Sequence, residues 1–219
     1  RSENGPPALG IQVADVAGGS MHAVIAILAA VIERQQSGKG QYIDISMTDC
    51  AVGLNNMAAS GVLAAGQVQK AETGTLNGAG FYDYYRTADD RYLSIGSLEP
   101  QFMQGLAQIL DLPILLQKGT SFIEEDQQMV KAAIQNKIEQ KNQQEWIEIF
   151  KHQDVCVEPV LNLDEALHSD LAKARGWVVD VPLPNGDTEP QLAHPIQFSR
   201  STPRYDFVGQ ELGAGTWGD

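Results

Sequence analysis

The segment Ile11-Gln-Val-Ala-Asp15-Val-Ala-Gly18-Gly19-Ser20-Met21 places an acid just before a Gly-Gly pair at the mouth of an apolar helical run. Backbone N–H groups at a helix N-terminus attract negative charge, and Gly18 and Gly19 let a ligand approach the main chain closely. Two readings of Asp15 follow. Either it caps the helix, a common task for Asp, or it is a reactive carboxylate held ionised there, sharing the site with a substrate carbonyl whose developing oxyanion needs donors. Glu99 is the second candidate. It follows a strand-like run and precedes Pro100, a residue suited to the first position of a helix. It is either an acid complementing the helix dipole or a functional carboxylate.

Other chemistries find little support. His22, His152, His168 and His194 have no ligand-spaced neighbours, so no metal site is expected. His22 stands nearest Asp15 and is expected to pack or cap. Ser-His-Asp nucleophile motifs, a P-loop and GxGxxG are absent. Cys50 and Cys156 lie far apart among apolar neighbours and read as small packed hydrophobes in a reducing compartment. Tyr82, Tyr84, Tyr85 and Tyr92 suit cross-strand packing better than base stacking.

Composition narrows the class further. The 219 residues, 43% hydrophobic, suffice for one sizeable core or two modest domains, and 20% charged residues exclude a disordered polyampholyte. A formal net charge of −13 argues against nucleic acid or an anionic membrane as partner. The longest apolar run, Ala23–Ile32, is about half of the roughly twenty residues a membrane span needs. No basic segment followed by an apolar stretch opens the chain, so a cytoplasmic location is expected. The chain starts at Arg1 without Met and ends in a Gly-rich tail, Gly213–Asp219, which suggests a processing scar, a cloning boundary or a cut through a longer protein.

These residues need elements to position them. Ser20–Gln36 reads as a helix, apolar on nearly all faces and therefore expected to be buried all round, stopping at Gly38. Gln41–Met47 reads as a strand and Thr48–Ala65 as a second helix with weak points at Gly53 and Gly61. The glycine-rich stretch 67–80 reads as a linker. Phe81–Thr87 and Arg91–Ser97, around Ala-Asp-Asp, form a hairpin pattern. Helices are expected at Pro100–Leu110, Ser121–Gln140 and Asn142–Lys151, the last two opened by capping-box spacings. Asp154–Leu161 reads as a buried strand, Leu163–His168 as a short helix and Trp177–Val181 as a strand before a turn at Pro184–Asp187. An extended tail is expected beyond Pro190. The class is α/β or α+β with two lobes.

Five stretches then carry a resemblance. Ala14-Asp15-x-Ala-Gly-Gly-Ser-Met21, Gly38-Lys-Gly-Gln-Tyr-Ile-Asp-Ile-Ser-Met47, Phe81-Tyr-Asp-x-Tyr-Arg-Thr-Ala-Asp89, Gly96-Ser-Leu-Glu-Pro-Gln-Phe102 and Asp154-x-Cys-Val-x-Pro-Val-Leu161 occur in this order. The chain resembles the family III CoA-transferases (the CaiB/BaiF group), most like their alpha-methylacyl-CoA racemase branch, from about Ala8 to about Leu167. The resemblance implies an α/β protein: part of a Rossmann-like large domain plus a small α/β domain, in an interlocked homodimer. Residues 1–66 would belong to the large domain as helix-strand-helix, 67–80 to a linker, 81–181 to the small domain and 182–219 to a return segment.

The same resemblance places Asp15 on the catalytic aspartate shared by both branches and Glu99 on a glutamate that supports a catalytic histidine in racemases. It implies an acyl-CoA thioester as substrate, with coenzyme A entering as part of it and no permanently bound cofactor. In a racemase, Asp15 and a histidine exchange the α-proton of a 2-methylacyl-CoA. In a transferase, Asp15 attacks the thioester carbonyl and becomes an aspartyl-CoA thioester. Leu98-Glu-Pro-Gln-Phe102 leans to the racemase, since the gating Gly-rich loop of the transferases is missing. The family's N-terminal half, with the Gly-His-Asp segment bearing the partner histidine, is also missing, and Ile11 stands where racemases usually carry Asn. The 219 residues alone are therefore expected to racemise little or nothing, and a non-catalytic dimerisation or binding fragment is the third reading.

Overall fold

The computed structural model describes residues 10–68, 74, 76 and 78–209. The opening segment from Arg1, half of the 67–80 linker and the Gly213–Asp219 tail lie outside the described residues. The chain divides into two compact units between Glu158 and Pro159.

The first unit opens on helices. A wide-turned π-helical segment, Val13–Ser20, runs directly into α1, Met21–Ser37, which stops where Gly38 takes a left-handed conformation (φ +74°). Ser46 then caps α2, Met47–Leu54, by accepting the Asp49 N–H at 3.2 Å. Asn55 separates α2 from α3, Asn56–Ala65. The π segment packs on α1 and α2, and α2 on α3.

Two expectations fail here for one reason. Residues 38–46 form no strand, and Tyr42 is 92% exposed. A strand exists only by pairing, and among the described residues no other strand lies alongside. The helix expected to be buried all round is instead open: α1, α2 and α3 bury no residue, and Ile25, Leu28 and Ile32 are all more than half exposed. Apolar faces on every side need neighbours on every side, and among the described residues the substantial packing of this segment is within itself. Residues 1–66 thus show helices without the intervening strand, among those described.

Joined end to end, Val13–Ser37 makes a 25-residue helix of mean hydropathy 1.8, long and apolar enough by length and composition to cross a membrane. A core helix passes the same test, and the contact with α2 commits one side of this one to protein. Sparse burial has a kinetic consequence. In the 219-residue chain, amides of 13–65 are expected to exchange with deuterium well ahead of those in 100–150, read by mass spectrometry of peptic fragments. Equal protection would mean that the open faces are covered in solution.

The rest of the first unit holds the core. β1, Asp83–Arg86, pairs antiparallel with β2, Tyr92–Ile95, in the register Asp83↔Ile95 to Arg86↔Tyr92, as the hairpin pattern predicts. β3, Val157–Val160, lies on the other side of β2. α4, Pro100–Leu110, buries Met103, Leu106, Ala107 and Leu110, one stripe at helical spacing. These residues meet Phe81, Leu93 and Ile95 from the sheet side, Ile134 and Ile138 from α6 and Trp146 from α7. The short α5, Ile114–Lys118, was not legible in the sequence pattern.

α6 is Glu124–Ile138 and α7 is Gln143–Phe150. Only the second of the two expected capping boxes forms: Asn142 and Glu145 exchange their bonds. Ser121 instead donates to Asp126 at 2.8 Å. Lys118 and Ser121 together hold the Asp126 carboxyl below its ordinary range. Asp89 accepts from the Thr87 hydroxyl and from the Gln143 N–H, tying the hairpin turn to the start of α7; these bonds hold its carboxyl low as well.

The outer edge of β1 is closed by a side chain. The Gln135 amide accepts the Arg86 N–H at 3.0 Å and donates to the Arg86 carbonyl at 2.8 Å, as a neighbouring strand would. Lys131, one turn earlier, reaches Asp83 at 2.8 Å. Gln135→Ala is expected to cost about 1–2 kcal/mol in urea unfolding, the value of two partly exposed bonds, and to open an edge for pairing with other chains. An unchanged midpoint would show that water replaces the amide.

The second unit is small. α8, Leu163–His168, starts from the Asn162–Glu165 capping box, and Ser169 caps α9, Asp170–Arg175. β4, Val178–Pro182, and β5, Thr188–Leu192, form an antiparallel ribbon around the expected turn, where Gly186 (φ +90°) donates to Leu183. β5 itself was not foreseen. Past Leu192, no regular element follows among the described residues.

Candidate active site

Asp15 is the third residue of the π segment, and Gln12 occupies the cap position with no side-chain cap bond. Capping is therefore not what Asp15 does. Its side chain is exposed, and among the described residues the carboxylate has no hydrogen-bond or ion-pair partner. It stands in the first turn, where unpaired backbone N–H groups favour negative charge. Its own carbonyl accepts the Ser20 hydroxyl at 3.1 Å.

Gly18 and Gly19 permit a close approach, and the partner in view is α2. A Cβ at Gly18 would stand 3.2 Å from the Met47 carbonyl oxygen, and one at Gly19 would stand 3.2 Å from Met47 Cγ. The pair thus lets α2 lie against the turn that carries Asp15. Cys50, half-buried on α2, is part of the same contact. His22, also half-buried, donates Nδ1–H to the Ala17 carbonyl at 2.7 Å, since a carbonyl can only accept. It caps a carbonyl inside the helix, one of the two roles expected from its position.

Glu99 lies on a second segment. It is the N-cap of α4, extended at φ −69° and ψ 144°, as a residue before proline prefers. Its carbonyl accepts the Met103 N–H at 2.9 Å, while its carboxylate makes no cap bond and is exposed. The Gly96 N–H bonds the Cys156 carbonyl at 2.9 Å, and the buried Ser97 hydroxyl donates to Val155. Two stretches picked out in the sequence, 96–102 and 154–161, thereby become neighbours.

Cys156 departs from expectation. It is exposed, with φ +51°, rather than packed as a hydrophobe. Partial desolvation, then the charges of Glu99, Asp154 and Glu158, push its thiol pKa up, so the thiol form is favoured. The structure thus gathers Asp15, Gly18, Gly19 and His22 on one helical segment, and Glu99 with Cys156 at the end of the sheet. Among the described residues no hydrogen bond or ion pair joins the two groups. No set of three or more His, Cys, Asp or Glu there is placed to hold a metal ion. In the second unit, Arg175, Trp177, Leu192 and His194 line an open groove that contains neither carboxylate.

A family profile described as CoA-transferase family III matches residues 1–215. Alpha-methylacyl-CoA racemase of Homo sapiens is 32% identical over 165 residues, covering 75% of this chain and 43% of that protein. Succinyl-CoA:glutarate CoA-transferase of Homo sapiens is 26% identical over 190 residues, covering 83% and 42%. Among solved structures, a CaiB/BaiF family protein from Brucella suis superposes with a TM-score of 0.70 at 25% identity, covering 92% of this chain and 52% of that one. The chain spans about half the length of these relatives.

Proposed function

Since the chain belongs to CoA-transferase family III, we propose that it forms part of an acyl-CoA enzyme whose reaction turns on Asp15. The reading is racemase-like: the Asp15 carboxylate takes the α-proton of a 2-methylacyl-CoA thioester, leaving an enolate. A second acid outside this chain returns a proton to the opposite face. The observation that carries the proposal is an exposed carboxylate, without a partner among the described residues, in the first turn of a helical segment. The 32% identity to a protein named as a racemase supports it. Glu99 would support the second acid, Gly18 and Gly19 would border the thioester, and two copies would complete the site as a homodimer in the cytoplasm.

A transferase reading is favoured by the likeness to proteins named as CoA-transferases. There Asp15 attacks the thioester carbonyl, CoA leaves as thiolate, and its return to the aspartyl carbonyl releases the acid and leaves an aspartyl-CoA thioester. The full-length gene product, incubated with a 2-methylacyl-CoA in deuterated water, separates the two. Loss of the α-proton signal without acyl transfer supports the racemase. CoA appearing on an added free acid without exchange supports the transferase. Neither product would overturn both.

A further inference from the structure

The helix that carries Asp15 changes its hydrogen-bond period in mid-course. Val13–Ser20 is wide-turned: its first amides still bond short, Val16 N–H to Gln12 four residues back at 3.0 Å, but by its end the Met21 N–H bonds Val16, five back. From Met21 the chain is α-helical, and each amide bonds four residues back. On that count the amide of residue 22 is due the carbonyl of residue 18. That count assigns no amide to the Ala17 carbonyl. It is this carbonyl that His22 Nδ1–H reaches, at 2.7 Å.

We infer that His22 is a positioning residue: its imidazole bonds the Ala17 carbonyl, to which the π-to-α count assigns no amide, and so holds the wide-turned segment that presents Asp15. The inference rests on the proposed role of Asp15. An orphaned carbonyl in a half-buried site is costly, and the chain escapes that cost by reverting to α-helical bonding throughout. Such a reversion shifts register by one residue and turns Asp15 by about 100° around the axis relative to α1. Gly18 and Gly19 would then no longer face Met47 together, so α2 would also lose its seat. Wide turns of this kind are common at functional sites because they aim a side chain that regular spacing would misdirect.

The test uses the full-length gene product and α-proton exchange of a 2-methylacyl-CoA. His22→Leu removes the donor, whereas His22→Asn restores an N–H near the place of Nδ1. His22→Leu is expected to lower kcat at least about tenfold with KM nearly unchanged, since misplacing a reacting group by 1 Å can cost about 100-fold. His22→Asn should keep kcat within about threefold of wild type. Full activity in His22→Leu would overturn the inference, as would an equal fall in His22→Asn or a change confined to KM. Should His22→Leu fail to fold by circular dichroism, imidazole 15N shifts of the wild-type protein decide. The Nδ1–H tautomer supports the inference and the Nε2–H tautomer overturns it. Asp15→Asn is run alongside. If it leaves exchange intact, the reading of Asp15 fails; if it stops exchange while His22→Leu does not, only the present inference fails.

Discussion

Replacing Asp15 with Asn in the full-length gene product is expected to lower α-proton exchange about 100- to 10,000-fold, the span a positioned general base commands. The carboxamide matches the carboxylate in size but has no lone pair basic enough to take a carbon-bound proton. Nor can it form the aspartyl-CoA thioester, so transfer of CoA to a free acid should fall as steeply if that is the reaction. Stability should hardly move. The carboxylate caps nothing and pairs with nothing among the described residues, and surface changes away from such features stay within about 0.5 kcal/mol. Proton exchange followed by NMR and thermal unfolding followed by circular dichroism read the two effects separately. A variant that unfolds early would make Asp15 a structural residue, and one that exchanges at the wild-type rate would remove it from the chemistry.

How much of this was legible from sequence depends on where each pattern finds its partner. The hairpin, α4, α7 and α8 lie where the period, the caps and the turn residues place them, because their partners are a few tens of residues away in the same unit. Thus Pro100 opens α4 and Asn142 caps α7 as read. Gln41–Met47 carries equally good strand alternation but forms no strand, since alternation specifies a face and pairing needs an edge. The same holds for α1: its apolar faces predict burial, and burial requires a neighbour among the described residues that α1 lacks.

The site was legible in its residues and not in its geometry. Asp15, Gly18 and Gly19 stand together as the motif suggests. Spacing alone, however, cannot show that the helix starts at Val13 rather than Ser20, because nothing in Val-Ala-Asp-Val-Ala-Gly-Gly-Ser marks a five-residue hydrogen-bond period. Cys156 was misjudged for a related reason. Its sequence neighbours, Val155 and Val157, are buried, but Cys156 takes a left-handed turn (φ +51°) just before β3 and is left exposed, which apolar neighbours in sequence do not reveal.

Leu106→Ala is expected to destabilise the 219-residue chain by about 2–5 kcal/mol, a large share of the roughly 5–15 kcal/mol that holds a domain together. Leu106 is fully buried within the α4 stripe and belongs to the core cluster shared by the sheet, α4, α6 and α7, so its loss leaves a cavity in that core. Removing it should therefore also loosen α4, whose first turn fixes Glu99. Leu28→Ala in α1 is the matching control: the side chain is 57% exposed, so the same truncation should cost well under about 1 kcal/mol in this chain. Urea midpoints followed by circular dichroism compare the two. A large loss for Leu106 with a small one for Leu28 locates the cooperative core in residues 81–158. Comparable losses would mean that α1 is covered in solution by some other surface, and the proposed site would then have to be sought where that surface meets Asp15.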